Sequence, residues 1–309
     1  MGRKSEKNKM NKKGELTTTQ LVTIIILIVS FAVILILLWK LNLGKETDAD
    51  VCRDSVFKKG SNIAGFTETS LKCYTKYVCI TADGSCEELN KPEVYEVRDV
   101  NGVYNALANE MANCWWMFGE GKVNYVNKET FTDLKCSICS QVYFDDSLQE
   151  EIPELESGKL DEDALYDSYL PNNGPKEGVT YLEYFFGSND IKSLRERLTQ
   201  EKSAFGSLDL NKQHYIMMGI VPTRNYWVTY GGGLATIIAG IFGAPVYAVV
   251  GLGGLTVAIF VGSVSYNYQK VIAMAVEGES GNGFMSPSII EINSEEFKGL
   301  KCGEILTYS

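Results

Sequence analysis

The chain has very little histidine, since His214 is its only one. Ser-His-Asp triads and metal sites built on several histidines are therefore excluded as local motifs. The sequence also lacks a GxGxxG fingerprint, a P-loop and an Asn-x-Ser/Thr acceptor, so nothing in it marks a nucleotide site or predicts N-glycosylation. These absences favour a non-enzymatic role, and we predict no cofactor and no metal.

Outside the first thirteen residues, acidic residues clearly outnumber basic ones. That tail holds six basic residues and one acidic residue, a charge of +5, and since the whole chain carries −10, the remaining 296 residues carry −15. Nucleic-acid surfaces need clustered Lys and Arg, so the acidic body predicts no nucleic-acid partner. A basic tail beside an apolar segment is typical of a cytoplasmic end.

The first apolar segment is residues 16–39, which are 24 residues without a charge. As a helix rising about 1.5 Å per residue it would be roughly 36 Å long, enough to cross a hydrocarbon core of about 30 Å. A cleaved secretory signal has an apolar core of only about 7–15 residues. We therefore predict a signal-anchor transmembrane helix over residues 16–40, preceded by a cytoplasmic tail over residues 1–15.

The residues before this segment, Lys12-Lys13-Gly14-Glu15, resemble the processing site of archaeal type IV pilin-like precursors. The resemblance implies cleavage between Gly14 and Glu15 that leaves the helix in place, and a role in a filament system. Thr19 stands where many pilins carry a glutamate. A plain signal anchor with an intact N-terminus is the other interpretation.

The second apolar segment, residues 228–266, has 39 residues, no charge and nine glycines. One continuous helix would be about 58 Å long, nearly twice the hydrocarbon thickness. Gly243 and Pro245 disfavour a helix near its middle. We predict a glycine-rich hairpin over residues 226–266, with two transmembrane arms and a turn at residues 243–245. A single crossing is the alternative.

Small residues recur at every fourth position in both predicted arms. This spacing lets helices approach closely in lipid, where burial of apolar surface cannot drive packing. The predicted packing positions are Ala235, Ala239 and Gly243 in the first arm, and Gly254, Ala258 and Gly262 in the second.

The chain has eight cysteines, seven of which lie between the two apolar segments. A double crossing would place all eight on the outer side of the membrane. An even number of cysteines in an oxidising compartment predicts disulfides, with the pairing left open. The candidates are Cys52, Cys73, Cys79, Cys86, Cys114, Cys136, Cys139 and Cys302.

Cys136-Ser-Ile-Cys139 has the spacing of a thioredoxin-type redox pair or of half a zinc site. A redox pair would open a helix, whereas residues 140–144 are typical of a strand. We interpret both cysteines as structural. The acidic stretch 144–176 lacks the ligand spacing of a calcium loop. Its prolines and Asn172-Asn173-Gly174 predict an exposed loop.

The remaining patterns predict a mixed fold. Residues 71–80, 213–221, 270–276 and 288–292 have the composition of strands. Residues 100–118 have apolar side chains three and four apart, which predicts an amphipathic helix with Glu110 on its polar side. We expect a strand or short helix over residues 181–186, a helix over about 191–204, and a short helix or turn over 295–300.

The predicted fold class is α+β in an integral membrane protein. Residues 41–225 form a disulfide-rich acidic ectodomain, and residues 267–309 complete it after the hairpin. The predicted location is the cell membrane, with the N-terminus cytoplasmic and the main domain extracytoplasmic.

The predicted function is that of a membrane-anchored cell-surface protein with a non-enzymatic binding or envelope-assembly role. Its partners would be the lipid bilayer and either further copies of the chain or other envelope proteins. Alternatives are a pilin-like subunit, a pore-forming or membrane-remodelling protein acting through the hairpin, and an envelope thiol oxidoreductase.

Overall fold

A computed structural model describes most of the chain in two units, residues 1–46 and 47–309. The described residues are 18–40, 47–61, 70–86, 89–126, 134–188, 190, 192, 195–196, 199, 203–221, 246–252, 255–265, 268–277, 283–300 and 302–308.

The first unit contains helix α1, Thr18–Lys40. Its side chains are described over residues 20–36, and all of them are exposed, with Ile28 and Phe31 each 63% accessible. Among the described residues, no helix has both the length and the apolar character needed to cross a membrane. The transmembrane helix over residues 16–40 stays a prediction.

The second unit is built on β-strands. In chain order they are β1 (Lys76–Thr81), β2 (Glu93–Glu96), β3 (Lys135–Phe144), β4 (Lys159–Asp161), β5 (Ser203–Ala204), β6 (Ser207–Asp209), β7 (His214–Val221), β8 (Val246–Leu252), β9 (Leu255–Ser265), β10 (Tyr268–Glu277), β11 (Gly283–Glu291) and β12 (Glu304–Ile305).

Ten of these strands form one mixed sheet in the order β2-β1-β3-β7-β11-β10-β9-β8, with β12 paired to β3 and β5 paired to β10. β1 is parallel to both β2 and β3, whereas the path from β3 to β8 is antiparallel throughout. The predicted strands at 213–221, 270–276 and 288–292 are confirmed as β7, β10 and β11. The predicted strand at 71–80 begins only at Lys76.

Helical elements cover this sheet. They are α2 (Asp48–Gly60), α3 (Val100–Met117), α4 (Ser147–Glu151), a 3-10 turn (Pro153–Leu155), α5 (Glu162–Ala164), a π turn (Leu165–Tyr169), α6 (Leu170–Asn172), α7 (Tyr181–Phe186) and α8 (Glu295–Gly299). The predicted helix at 100–118 is confirmed as α3, and of the alternatives left open at 181–186 and 295–300 the structure has the short helices α7 and α8. α3 begins where the Asp99 carboxylate accepts a hydrogen bond from the Gly102 N–H, a standard N-cap.

The sheet buries both faces. On the helix face, α3 packs on β3, β7 and β11, and the indole of Trp115 meets the ring of Phe284 edge-on at 6.2 Å. The opposite face of the sheet, called the tail face below because the C-terminal residues lie on it, is covered by α8 and by the segment 302–308. Its smaller apolar cluster consists of Leu134, Cys136, Ile138, Met217, Ala273, Met285, Ile290 and Leu300.

The prediction that the second arm of the hairpin is a helix is wrong. Residues 246–252 and 255–265 form the antiparallel strands β8 and β9, with Val249 opposite Ala258. Their β-branched residues favour strands, and β10 offers β9 a backbone partner. Ala258 and Gly262 therefore lie in a strand. Gly254, the first arm with Ala235, Ala239 and Gly243, and the 243–245 turn lie outside the described residues.

The predicted exposed loop at 144–176 is also wrong. Short helical turns run through it, and its apolar side chains enter the main core: Leu148, Ile152, Leu155, Leu160, Leu165, Tyr166, Tyr169 and Leu170. Acidic residues are interspersed among these apolar side chains, so the overall composition of the segment is that of an exposed loop. Most of the predicted helix at 191–204 lies outside the described residues.

Candidate functional site

All eight cysteines are paired. The disulfides join Cys52 to Cys73, Cys79 to Cys86, Cys114 to Cys139, and Cys136 to Cys302. No free cysteine is present among the described residues. The prediction of disulfide bonding is therefore confirmed, and the pairing that the sequence left open is assigned.

The CxxC cysteines bond to different partners because they lie in a strand. Side chains along β3 alternate between faces, so residues three apart point in opposite directions. Cys136 lies on the tail face and reaches Cys302, whereas Cys139 lies on the helix face and reaches Cys114 in α3. The pair cannot cycle as a dithiol without breaking both links, which removes the support for an oxidoreductase.

Among the described residues, a network of charged and polar side chains lies where β1, β2 and α3 meet. Glu110 of α3 is 3% exposed, and its Oε1 accepts hydrogen bonds from the Lys76 ammonium at 2.7 Å and from the Tyr95 hydroxyl at 2.6 Å. Lys76 Nζ also lies 2.9 Å from Glu93 Oε2. Two carboxylates, one ammonium and one phenol therefore share a single half-buried network.

The charges of this network support one another. Burial alone would lower the pKa of Lys76, but Glu110 and Glu93 outweigh burial and raise it. Burial would raise the pKa of Glu93, yet its contacts with Lys76 and Tyr95 lower it. Burial and the two carboxylates raise the pKa of Tyr95 strongly. At neutral pH the phenol is therefore neutral and Lys76 is charged.

A cavity of about 110 Å³ opens beside this network. A water needs about 10–15 Å³ by this kind of measure, so the space admits a small organic group. Its walls are formed by α2, by α3, and by Tyr74 and Thr75 of the segment 73–75, which directly precedes β1 and is called the lead-in to β1. The lining residues are Asp48, Ala49, Tyr74, Thr75, Lys76, Glu110, Asn113, Met117 and Cys139.

The backbone around the cavity is firmly held. Thr47 and Asp50 form a capping box at the start of α2, in which each side chain accepts a hydrogen bond from the other residue's N–H. The Cys52–Cys73 disulfide ties α2 to the lead-in of β1, and Cys114–Cys139 ties α3 to β3. The cavity is therefore preformed, as ligand sites commonly are.

A second buried carboxyl, Glu162, lies at the junction of α5 with β10. Its Oε2 is 3.9 Å from Lys270 Nζ, too far for a hydrogen bond, and has no hydrogen-bond partner among the described residues. Burial raises the pKa of Glu162 to about 8 against the opposing charge of Lys270, and the acids Asp163, Asp161 and Glu296 add to the rise.

His214 is a core residue. It is 1% exposed, its ring meets Phe144 edge-on at 5.7 Å, and burial lowers its pKa to about 4. Within the described residues, no group of three or more His, Cys, Asp or Glu side chains is arranged to hold a metal ion. The predicted processing site at Gly14 and Glu15 lies outside the described residues.

Sequence reasoning missed the Lys76–Glu110 network. Glu110 was expected on the polar side of α3, where it would face water, but Lys76 and Tyr95 cover it. These residues are 34 and 15 positions from Glu110, so no local pattern links them. The available signal was a single acid beside Met111 on a helix otherwise rich in apolar residues.

No family model, no curated protein and no solved structure matches this chain.

Proposed function

We propose that the chain is a membrane-anchored cell-surface protein whose disulfide-bonded domain binds a ligand outside the cytoplasm and has no catalytic role. The observation that carries this proposal is the pairing of all eight cysteines. Structural disulfides persist in oxidising compartments and are rare in the cytosol.

Helix α1 supports the anchor. Each of its described side chains, residues 20–36, is exposed, and thirteen of them are large hydrophobic residues. A helix that is apolar all round needs an apolar environment. The apolar sequence extends beyond the described side chains to residues 16–39, which reaches the length of about 20 residues that a span requires.

The charge pattern supports the orientation. The +5 tail before α1 would stay in the cytoplasm, and the acidic remainder would follow on the outer side. Partners in this arrangement are the lipid bilayer and either further copies of the chain or other envelope proteins.

The binding role is supported by the cavity between α2, β1 and α3. It has rigid walls, one buried carboxylate and an exposed aromatic ring, Tyr74. A concave site with a few fixed polar groups is the usual form of a small-molecule site.

The test is the side of the membrane on which the C-terminus lies. A peptide tag placed after Ser309 should be removed when protease is added to intact cells, while a tag before Met1 should be protected. Non-reducing electrophoresis after thiol labelling should show no reactive cysteine until reductant is added. A C-terminal tag that is cut only after permeabilisation, or eight thiols that react without reductant, would contradict the proposal.

A further inference from the structure

One disulfide, Cys79–Cys86, differs from the other three in its surroundings. Four cysteines of the other pairs belong to the main core, Cys136 belongs to the tail-face cluster, and Cys302 packs against that cluster. Cys79 and Cys86 belong to neither cluster. Cys79 is 0% exposed in β1, whereas Cys86 is partly exposed in the bend that follows β1. A thiolate attacks the sulfur that it can reach, so this disulfide is open to exchange at Cys86.

Cys79–Cys86 also closes the shortest loop. Its cysteines are 7 positions apart, against 21, 25 and 166 positions for the other three pairs. The constraint that a disulfide places on the unfolded chain grows with loop length, so the fold loses least when this bond opens. The two thiols also stay close together along the chain, which favours re-formation of the bond.

The bond ties the end of β1 to the chain that leads into β2. The bend up to Ser85 is held by hydrogen bonds, because the Asp83 carboxylate accepts from the Thr81 hydroxyl and from the Ser85 N–H. By contrast, β2 is a strand of four residues at the edge of the sheet, and among the described strands it pairs only with β1. The bond fixes Cys86 to β1 and so limits how far the start of β2 moves away from β1.

β2 carries two members of the charged network. The Glu93 carboxylate lies 2.9 Å from Lys76 Nζ, and the Tyr95 hydroxyl donates to Glu110 at 2.6 Å. Separation of β2 from β1 breaks both contacts and exposes Glu110, which is 3% exposed in the folded domain. Because Lys76 and Glu110 line the cavity, the state of the disulfide is coupled to that cavity.

We propose that Cys79–Cys86 is a reversible redox switch, which a dithiol opens while the domain stays folded and whose opening releases β2 from the edge of the sheet. The inference goes beyond the proposed binding function, since it concerns the response of the domain to a reductant.

The exchange begins at Cys86. One thiolate of the dithiol forms a bond to Cys86 Sγ, the Cys79–Cys86 bond breaks, and the electron pair leaves on Cys79 Sγ, which takes a proton from water. The second thiolate then attacks the sulfur of the reductant that is bound to Cys86, forms the cyclic disulfide of the reductant and releases Cys86 as a thiol. In total, two electrons and two protons pass from the dithiol to the protein.

The experiment is a graded reduction of the full chain in lipid nanodiscs with dithiothreitol. Free thiols are alkylated at each concentration and located by mass spectrometry of the digested protein, and circular dichroism records folding in parallel. Cys79 and Cys86 should be alkylated at a concentration at least about tenfold below the one that opens any other pair, because the attacked sulfur is accessible and lies outside both apolar clusters. The circular dichroism spectrum should not change at that concentration.

Hydrogen exchange measures the release of β2. After selective reduction, exchange of the amides of residues 93–96 should rise about tenfold, and reoxidation with oxidised glutathione should reverse the rise. The double variant Cys79→Ala with Cys86→Ala should show the same rise without reductant. The matched variant Cys52→Ala with Cys73→Ala should raise exchange in α2 but not in β2. The reduction experiment keeps the test valid should the first variant fail to fold.

Three outcomes would overturn the inference. The first is that another pair, above all Cys136–Cys302 with its partly exposed Cys302, opens before or together with Cys79–Cys86. The second is loss of the folded spectrum at the concentration that opens Cys79–Cys86. The third is unchanged exchange of residues 93–96 after that bond has opened. Each of them leaves the membrane orientation and the ligand role of the proposed function untouched.

Discussion

The two faces of the sheet are stabilised in different ways. On the helix face, α3 and the segment 147–186 join one large apolar core, and the Cys114–Cys139 link lies inside it. On the tail face, eight buried apolar side chains are covered by the five-residue helix α8 and a short C-terminal segment. There the Cys136–Cys302 link fastens that segment to β3.

The difference shows what each disulfide does. A large core can hold its own elements together, so a cross-link within it adds to an existing association. A short segment with little apolar area has few contacts to offset its lost chain entropy, and it depends on a covalent link. We therefore expect the two faces to respond unequally to the same kind of change.

The largest effect should come from replacing both Cys136 and Cys302 by Ala. The residues are 166 positions apart, and loop-closure entropy predicts a loss of about 5 kcal/mol in the free energy of unfolding. The matched change at Cys114 and Cys139, 25 positions apart, should cost about 3.5 kcal/mol by the same relation. Urea denaturation of both variants measures this. A larger loss from the Cys114 and Cys139 variant would reverse the comparison.

The second prediction concerns Glu162, the buried carboxyl of α5 that lies beside Lys270 of β10. Its pKa is raised from 4.5 to about 8 by burial, so the folded protein holds a proton that the unfolded chain releases. The contribution of this group to the free energy of unfolding should therefore be fully present below about pH 4.5, fall by about 5 kcal/mol as pH rises from 4.5 through 8, and stay constant above that. Glu162→Gln keeps the neutral shape and should flatten this slope. Thermal denaturation between pH 5 and 9 is the measurement, and parallel slopes would contradict the prediction.

A third effect tests the polar network of the helix face. Lys76→Met removes the cation beside the buried carboxylate of Glu110 and should cost about 3 kcal/mol of unfolding free energy. The double variant Lys76→Met with Glu110→Leu should regain part of that loss, because no unpaired buried charge remains. Chemical denaturation gives both values. A double variant less stable than the single one would mean that the network adds more than charge compensation.

The smallest effect should come from removing the N-cap side chain of one helix on each face of the sheet, α8 on the tail face and α2 on the helix face. Ser294 accepts a hydrogen bond from the Phe297 N–H at the start of α8, and Thr47 does the same for α2 from the Asp50 N–H. Either change to Ala should cost about 1 kcal/mol. Hydrogen exchange should rise around Leu300 and Cys302 only in Ser294→Ala. Equal protection in the two variants would show that α8 does not secure the tail face.

Helices and strands whose own residues have a helical or strand-like pattern could be predicted from the sequence. α3 follows from apolar side chains three and four apart, and β7 and β11 follow from their β-branched residues. The second apolar segment was mispredicted because β8 and β9 contain no charged residue, and an uncharged run does not distinguish a membrane helix from strands.

The candidate site could not be predicted because its members meet only through the fold. Lys76, Glu93 and Glu110 come from three elements, and the register of β1 and β2 beside α3 brings them together. By contrast, the separate roles of Cys136 and Cys139 follow from strand alternation alone. Because β3 begins at Lys135 and includes both cysteines, strand alternation directs the two thiols to opposite faces, a pairing that the sequence had left open.

The position of the C-terminal segment has a consequence for biosynthesis. Residues 303–308 bond to β3 and to Cys73 and Thr75, so a segment 166 positions further along the chain, as counted from Cys136 to Cys302, completes the edge of β3. The domain cannot reach its native pairing while residues near position 300 remain in the ribosome or a translocation channel. Native folding therefore waits until the chain has been made past residue 308, and a product truncated before Cys302 would leave β3 with an open edge and an unpaired thiol.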